Sequence, residues 1–133
     1  MFSTGNLYFQ VEISDLEPDT LEQLLKFIYT DKIDESSLTT LACGLLTAAD
    51  KYNVQRLKVK CEGVICDNLD VSNAAQALVL GHLHEAKTLK RVALEYVTGN
   101  IAKVSESAGW SQITSGSELL GEILKTVMQK SKS

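Results

Sequence analysis

Apolar residues recur three or four positions apart along most of the chain and alternate with polar residues only near its start. The alternation at Val11-Glu12-Ile13 predicts a short β-strand, whereas the helical spacing from Pro18 onward predicts amphipathic helices joined by short connections. We therefore predict a mainly α fold with one short N-terminal β-strand. The predicted helices begin at Pro18, at a cap formed by Ser36 or Ser37, at Val54, after Asp70, after Glu85-Ala86-Lys87 and near Ser117.

Several residue types mark where these helices should start and stop. Pro18 suits the first turn of a helix, and Asn53 favours the left-handed conformation that interrupts one. Thr30-Asp31-Lys32 and Gly99-Asn100 are the predicted ends of two further helices. The apolar stripes predicted to face the core are Leu21, Leu24, Leu25 and Ile28; Leu38, Leu41, Leu45 and Ala49; Leu57, Cys61, Val64 and Ile65; Val71, Ala74 and Leu78; and Leu89, Val92, Ala93, Tyr96 and Val97.

The composition is that of an ordinary globular domain. Of the 133 residues, 44% are hydrophobic and 23% are charged, which suffices for a core without disulfides or metals. The formal net charge of -4 repels a phosphate backbone, so we expect no nucleic acid partner. We find neither a bilayer-spanning apolar run nor a signal-peptide pattern, so we expect no membrane partner. Because Cys43, Cys61 and Cys66 form no CxxC pair, we expect a nuclear or cytoplasmic location.

The sequence offers few groups suited to catalysis or metal binding. His82 and His84 are two residues apart and would face different sides of a helix, which argues against a shared metal ion. Cys61 lies on a predicted apolar stripe and is expected to be a core residue. A solvated corner between strand and helix accounts for the acidic residues Glu12, Asp15, Glu17 and Asp19. Since HExxH, GxSxG and phosphate-binding glycine loops are absent, we predict no enzymatic activity, cofactor or metal.

The first ten residues, MFSTGNLYFQ, are set apart because NLYFQ resembles a protease recognition site that expression vectors commonly leave behind. Gly5 stands where that site has an acidic residue. We therefore interpret residues 1–10 as a vector-derived segment and residues 129–133 as a tail, and neither enters the functional reasoning.

Residues 45–61 read LLTAADKYNVQRLKVKC and carry the strongest family signature. We interpret their lysines as flanking surface charges and Tyr52 as a hinge or rim residue. With Phe27-Ile28-Tyr29-Thr30, this stretch resembles the BTB/POZ domain of speckle-type POZ proteins, the MATH-BTB adaptors. The similarity continues through Asn73-Ala74-Ala75, Leu83-His84 and Ser107-Ala108-Gly109-Trp110. It implies that residues 11–69 are the C-terminal part of a BTB/POZ domain and that residues 70–128 form three-box and BACK-like helices.

The resemblance implies a protein-interaction module of a substrate adaptor for a cullin-3 ubiquitin ligase. Such a module binds the cullin-3 scaffold and associates with itself into a dimer or higher oligomer. Carried over by position, the cullin-binding residues are Tyr29, Asp31, Tyr52, Leu78, Leu80, Leu83 and His84. The residues carried over to the self-association region are Leu120, Leu124 and Lys125. The alternative is a BTB-type self-associating scaffold or transcriptional regulator that does not bind a cullin.

Three departures from the family pattern set further expectations. Nothing here resembles the first half of the BTB fold, so we expect partly uncovered apolar helix faces that drive dimerisation or rearranged packing. Asp31 stands where the family has glycine after FIYT, and the loop that follows is longer than in the family. Lys125 falls on a position that is aromatic in the family, and a lysine does not replace an aromatic anchor in a buried contact. We therefore expect higher-order assembly to be weakened.

Overall fold

A computed structural model describes residues 17–115 and 117–131 of the chain. Helices hold 79% of these residues and strands hold none of them, which confirms the prediction of a mainly α fold. The predicted strand at residues 11–13 and the segment 1–10 lie outside the described residues. Two compact units are present, one ending at Cys61 and the other beginning at Glu62. Across the described ranges, every helix falls short of the length and apolarity that crossing a membrane requires.

The helices agree in number and approximate position with the sequence pattern, apart from two short additions in the less regular segment after Gly99. They are α1 (Pro18–Thr30), α2 (Glu35–Lys51), α3 (Gln55–Asp67), α4 (Ala74–Leu83), α5 (Lys87–Gly99), α6 (Ile101–Val104), α7 (Trp110–Thr114) and α8 (Ser117–Ser131). The division between the two units falls within α3.

In the first unit, α1 packs against α2 with a different face from the one predicted. Its buried residues are Thr20, Gln23, Leu24 and Phe27, whereas Leu25 and Ile28, which we expected in the core, are exposed. The reason is the close approach of the helices: a Cβ atom added at Gly44 of α2 would lie 3.3 Å from Thr20 Oγ1. Because Gly44 has no side chain, the face of α1 that carries Thr20 can pack closely against α2. This close packing, rather than the more apolar stripe, decides which face of α1 is buried.

Asp34, rather than Ser36 or Ser37, occupies the position before the first residue of α2. Its carboxylate makes no cap bond to the helix and instead accepts a hydrogen bond from Lys26 Nζ of α1 at 2.7 Å. That hydrogen bond, together with the lysine charge, lowers the pKa of Asp34. The predicted serine cap is wrong because the chain turns into the helix two or three residues earlier, where Asp34 also meets α1.

In the second unit, α4 packs along α5, α7 packs on α4, and α8 packs against α5 and α7. The helices α4 and α5 come closest at Gly81, where an added Cβ atom would lie 2.8 Å from the backbone nitrogen of Lys90. The side chains at the centre of this unit are fully buried and apolar: Leu78, Leu89, Ala93, Val97, Val104 and Ile113.

Asp70 caps a turn rather than the first residue of α4. Its carboxylate accepts hydrogen bonds from the backbone nitrogens of Ser72 and Asn73 at 2.9 and 3.0 Å. The Asn73 side-chain oxygen in return accepts one from the Asp70 backbone nitrogen at 2.9 Å. This reciprocal arrangement orders residues 71–73, and the helix proper follows from Ala74.

Candidate functional site

The stretch 45–61 forms the joint between α2 and α3. Leu45, Leu57 and Cys61 are fully buried in the first unit, as their spacing predicts, and so is Leu46, which the predicted stripe did not include. Asn53 adopts the left-handed conformation at φ 58°, which confirms its predicted role as the break between the helices. The joint is therefore a packed corner in which these four residues face inward, whereas Val59 on α3 is exposed.

Lys58 is not a flanking surface charge, which corrects our interpretation of the lysines in this stretch. Its residue surface is only 8% exposed, and its Nζ lies 2.9 Å from Asp50 Oδ1. An ammonium so far removed from water requires a partner, and the Asp50 carboxylate, eight residues earlier at the end of α2, supplies it. The pair joins the end of α2 to the start of α3. Lys51 and Lys60 are exposed, as expected.

Cys61 is a core residue, as its place on the apolar stripe predicts. Burial, and to a smaller extent the nearby Cys43, raise the pKa of the Cys61 thiol to about 12. The thiol therefore stays protonated at neutral pH, and a protonated thiol is a poor nucleophile and a poor metal ligand. Its contribution is to packing.

The end of α1 presents an aromatic ring to solvent. Tyr29 is 83% exposed and follows Ile28, which is 52% exposed. Asp31 ends the helix in the left-handed conformation at φ 62°, with its backbone nitrogen donating to the Phe27 carbonyl at 2.7 Å. Asp31 thus adopts a conformation that glycine takes most readily, with a carboxylate on its side chain.

Arg56 holds the Asp31 carboxylate in a two-pronged contact. The guanidinium nitrogens lie 2.6 and 2.9 Å from the two carboxylate oxygens, and the same group lies 5.9 Å from the centre of the Phe27 ring. The sequence pattern did not single out Arg56, because its partner is 25 residues away. Its effect is to hold the side chain of Asp31, two residues after Tyr29, at the end of α1.

Tyr52 is half-buried at the other end of α2. Its hydroxyl oxygen is buried and has no hydrogen-bond partner among the described residues. The ammonium of Lys51 lies 5.8 Å from the ring centre. A half-buried ring is compatible with the predicted hinge or rim role of Tyr52. Its hydroxyl makes no stabilising hydrogen bond with the described residues around it.

In the second unit, the predicted cullin-binding residues divide by exposure. Leu83 is largely exposed, Leu80 and His84 are half-buried, and Leu78 is fully buried. Leu78 can therefore contribute to a partner contact only by positioning Leu80 and Leu83, which follow it on α4. The three predicted residues that have exposed surface, Leu80, Leu83 and His84, lie at or directly after the C-terminal end of this helix.

The predicted self-association residues lie on α8, and an apolar stripe runs through them. Leu120 is half-buried, Leu124 is 56% exposed, and Lys125 is exposed. Met128, which was not among the predicted residues, continues the stripe one turn beyond Leu124 and is 60% exposed. Residues four apart share a helix face, so Leu120, Leu124 and Met128 line one side of α8.

Glu62, directly after the signature stretch, caps another helix. Its Oε2 accepts a hydrogen bond from the backbone nitrogen of Leu89 at 3.1 Å, in the first turn of α5. Ala86 precedes that helix and has no side chain able to cap it. Glu62 is buried and takes over that function from a distance of 27 residues.

Comparison with known proteins places the first half of the chain in a family of interaction domains. The BTB/POZ domain family matches residues 1–69. The chain is 39% identical, over 113 residues and 84% of its length, to TD and POZ domain-containing protein 4 of Mus musculus. It is 42% identical over 77% of its length to TD and POZ domain-containing protein 5 of the same organism, and 40% identical over 77% to protein 3. The chain spans 30%, 30% and 28% of the lengths of these three relatives.

Proposed function

Because the chain belongs to the BTB/POZ domain family, we propose that it is the interaction module of a substrate adaptor for a cullin-3 ubiquitin ligase, of the speckle-type POZ (MATH-BTB) kind. BTB/POZ domains mediate protein–protein interaction and self-association. The proposed mechanism is positional: the module binds the cullin-3 scaffold and brings a substrate held elsewhere in the full protein close to the ligase. It contributes binding surface and no chemistry. We also propose a nuclear or cytoplasmic location, where cullin-3 ligases act.

The single observation that carries this proposal is the exposed ring of Tyr29. A tyrosine with 83% of its surface in water, next to a half-exposed isoleucine, has a large apolar area available for a partner. Tyrosine is among the residues that dominate binding energy at protein interfaces. Tyr29 also matches the tyrosine of the FIYT pattern, which by resemblance faces the cullin.

The surroundings of Tyr29 support its use as an anchor. It lies in the last turn of α1, a helix whose end is fixed by the Asp31–Arg56 contact. A side chain on a rigid element loses less conformational freedom on binding than one on a mobile loop. The carboxylate of Asp31 is already paired with Arg56, so we propose that Asp31 acts by holding this end of the helix.

The test is a calorimetric titration of the purified chain with the amino-terminal domain of cullin-3. We expect saturable binding at tens of micromolar or tighter, and we expect Tyr29→Ala to weaken it by a factor of ten or more. The matched control is Val59→Ala, since Val59 is a similarly exposed apolar residue of the first unit outside the predicted contact. This variant should bind as the parent chain does.

Two results would argue against the proposal. Equal affinities for Tyr29→Ala and the parent chain would remove Tyr29 from the contact. A second chain, extended at its amino terminus by the first half of a BTB domain, is titrated alongside the parent chain. If neither chain gives heat with cullin-3, the cullin-binding function is rejected in favour of the alternative described below. Heat with the extended chain alone would instead place an indispensable contact in that first half.

The alternative is a self-associating scaffold or transcriptional regulator that does not bind a cullin. The observation that favours it is the exposed stripe of Leu124 and Met128 on α8. Apolar residues four apart on a helix form a seam that a second helix can cover. This function would be supported if the chain associates with itself in sedimentation velocity and shows no cullin binding in the titrations above.

A further inference from the structure

Three potential metal ligands converge in the second unit from two helices. His82 lies on α4, and Glu118 and Glu122 lie four residues apart on α8. The Nε2 atom of His82 is 3.7 Å from Glu118 Oε2, and the nearest ligand atoms of the three residues all lie within 4.8 Å of one another. Residues four apart share a helix face, so both carboxylates are on the side of α8 that meets His82.

We propose that His82, Glu118 and Glu122 bind a Zn²⁺ ion on the surface of the second unit. Zinc lies about 2.0–2.2 Å from histidine nitrogen and carboxylate oxygen, so tetrahedral ligands are about 3.4 Å apart. The His82–Glu118 distance is already close to this value, and a rotamer change of Glu122 completes the set. One imidazole and two carboxylates favour zinc over calcium or magnesium, which prefer oxygen ligands alone. Solvent supplies the fourth ligand.

The competing explanation is a network of ion pairs without a metal. Lys90 of α5 places its Nζ 3.2 Å from Glu122 Oε2, and the ammonium therefore occupies part of the space that the ion needs. Zn²⁺ has to displace this ammonium, which lowers its affinity. Lys90 distinguishes the two explanations, because its removal frees Glu122 for a metal but weakens a network of ion pairs.

The site could not be found from sequence spacing. His82 and His84 were excluded as a pair, and the structure supports no joint role for them, since His84 is not among the converging ligands. The partners of His82 are 36 and 40 residues further along the chain, on a helix that packs against its neighbours in the second unit.

The experiment is a titration of the full chain with ZnCl₂ by calorimetry, in a Cys43→Ser, Cys66→Ser background so that accessible thiols do not bind the ion. We expect saturable binding of one Zn²⁺ per chain. His82→Gln and Glu118→Gln should each weaken it by a factor of ten or more, whereas Lys90→Gln should strengthen it several-fold. The matched controls His84→Gln and Glu95→Gln should leave the affinity unchanged.

Thermal unfolding gives a second readout. Zn²⁺ bound to α4 and α8 should raise the unfolding temperature of the parent chain and leave that of Glu118→Gln unchanged. The side chain of Glu118 is largely exposed, so this variant should fold as the parent does. Absence of saturable binding up to about 1 mM, or equal affinities for the parent, His82→Gln and Glu118→Gln, would overturn the proposal. Weaker binding by Lys90→Gln would also contradict it.

Discussion

Three charged residues in and directly after the signature stretch connect helices rather than carry chemistry. Lys58 joins α3 to Asp50 of α2, and Arg56 joins it to the residue that ends α1. Glu62 caps the start of α5. The buried contacts of Lys58 and Glu62 should matter more than the exposed Arg56 contact, because solvent screens charges at the surface.

Glu62→Ala should destabilise the protein. The substitution leaves the backbone nitrogen of Leu89, a fully buried residue, without its acceptor, and an unsatisfied buried donor costs about 1–3 kcal/mol. Urea unfolding followed by circular dichroism should show a lower midpoint with an unchanged slope. Glu95→Ala, an exposed position on α5, is the control and should change the free energy of unfolding by less than about 0.5 kcal/mol. Equal midpoints for the two variants would show that the cap is unimportant.

Substitutions of Asp31 should separate backbone strain from the ion pair. A β-branched residue at φ 62° is strained, so Asp31→Val should lower the free energy of unfolding by about 1–3 kcal/mol. Asp31→Gly removes the strain and loses an exposed ion pair worth less than about 1 kcal/mol, so it should stay within about 1 kcal/mol of the parent. Arg56→Gln removes the pair and the contact with the Phe27 ring but leaves the backbone at Asp31 unchanged, and it is the control. If Arg56→Gln proves as damaging as Asp31→Val, strain is not the cause.

Several helix ends could be predicted from the sequence, whereas the cap of α2, the buried face of α1 and the distant contacts could not. Pro18, Asn53 and the break at Glu85 act through local backbone preferences, and each lies where the pattern placed it. The face that α1 buries depends on its approach to Gly44, a property of the packed pair of helices. A local pattern contains no information about that approach, so it selected the more apolar side of the helix.

The candidate contacts show the same limit. Tyr29, Asp31 and the exposed end of α4 could be named in advance only because a family pattern supplied their positions. Arg56 and Glu62 act on partners 25 and 27 residues away. No spacing rule for helices or strands reaches that far, so their roles become visible only when the fold brings the partners together.

Gly81 should be essential for the packing of α4 against α5. A methyl group at this position would lie 2.8 Å from the backbone nitrogen of Lys90, and backbone atoms cannot move aside as a flexible side chain can. Gly81→Ala should therefore cost about 1–3 kcal/mol of unfolding free energy, although alanine is the better helix former. Thermal or urea unfolding measures the change.

Gly121 of α8 provides the matched control for Gly81. A Cβ atom added there meets no atom within 4 Å, so Gly121→Ala gains helix propensity without a clash. This variant should be more stable than the parent by about 0.5–1 kcal/mol. Opposite signs for the two substitutions would confirm that close packing, and not propensity, determines the residue at Gly81. Stabilisation by both would mean that α4 and α5 shift apart at little cost.

Each unit of the molecule carries its own exposed apolar surface. In the first unit it comprises Leu25, Ile28 and Tyr29 of α1, and in the second it comprises Leu124 and Met128 of α8. Large apolar side chains left in water favour association, because burying a side chain of this size gains about 1.5–3 kcal/mol. Among the described residues, each of these two groups can drive self-association, and the two can be altered independently.

Self-association should be detectable by sedimentation velocity as a sedimentation coefficient that rises with protein concentration. If α8 provides the contact, Leu124→Ser together with Met128→Ser should abolish the concentration dependence, because both side chains are more than half exposed and their loss costs little folding free energy. Ile28→Ser, the matched change on α1, should then leave the concentration dependence of the sedimentation coefficient unchanged. The reverse result would assign the contact to α1, where the BTB/POZ match lies. If the parent chain is a monomer at every concentration, neither surface is a self-association contact. Both surfaces would then remain candidates for binding a different protein.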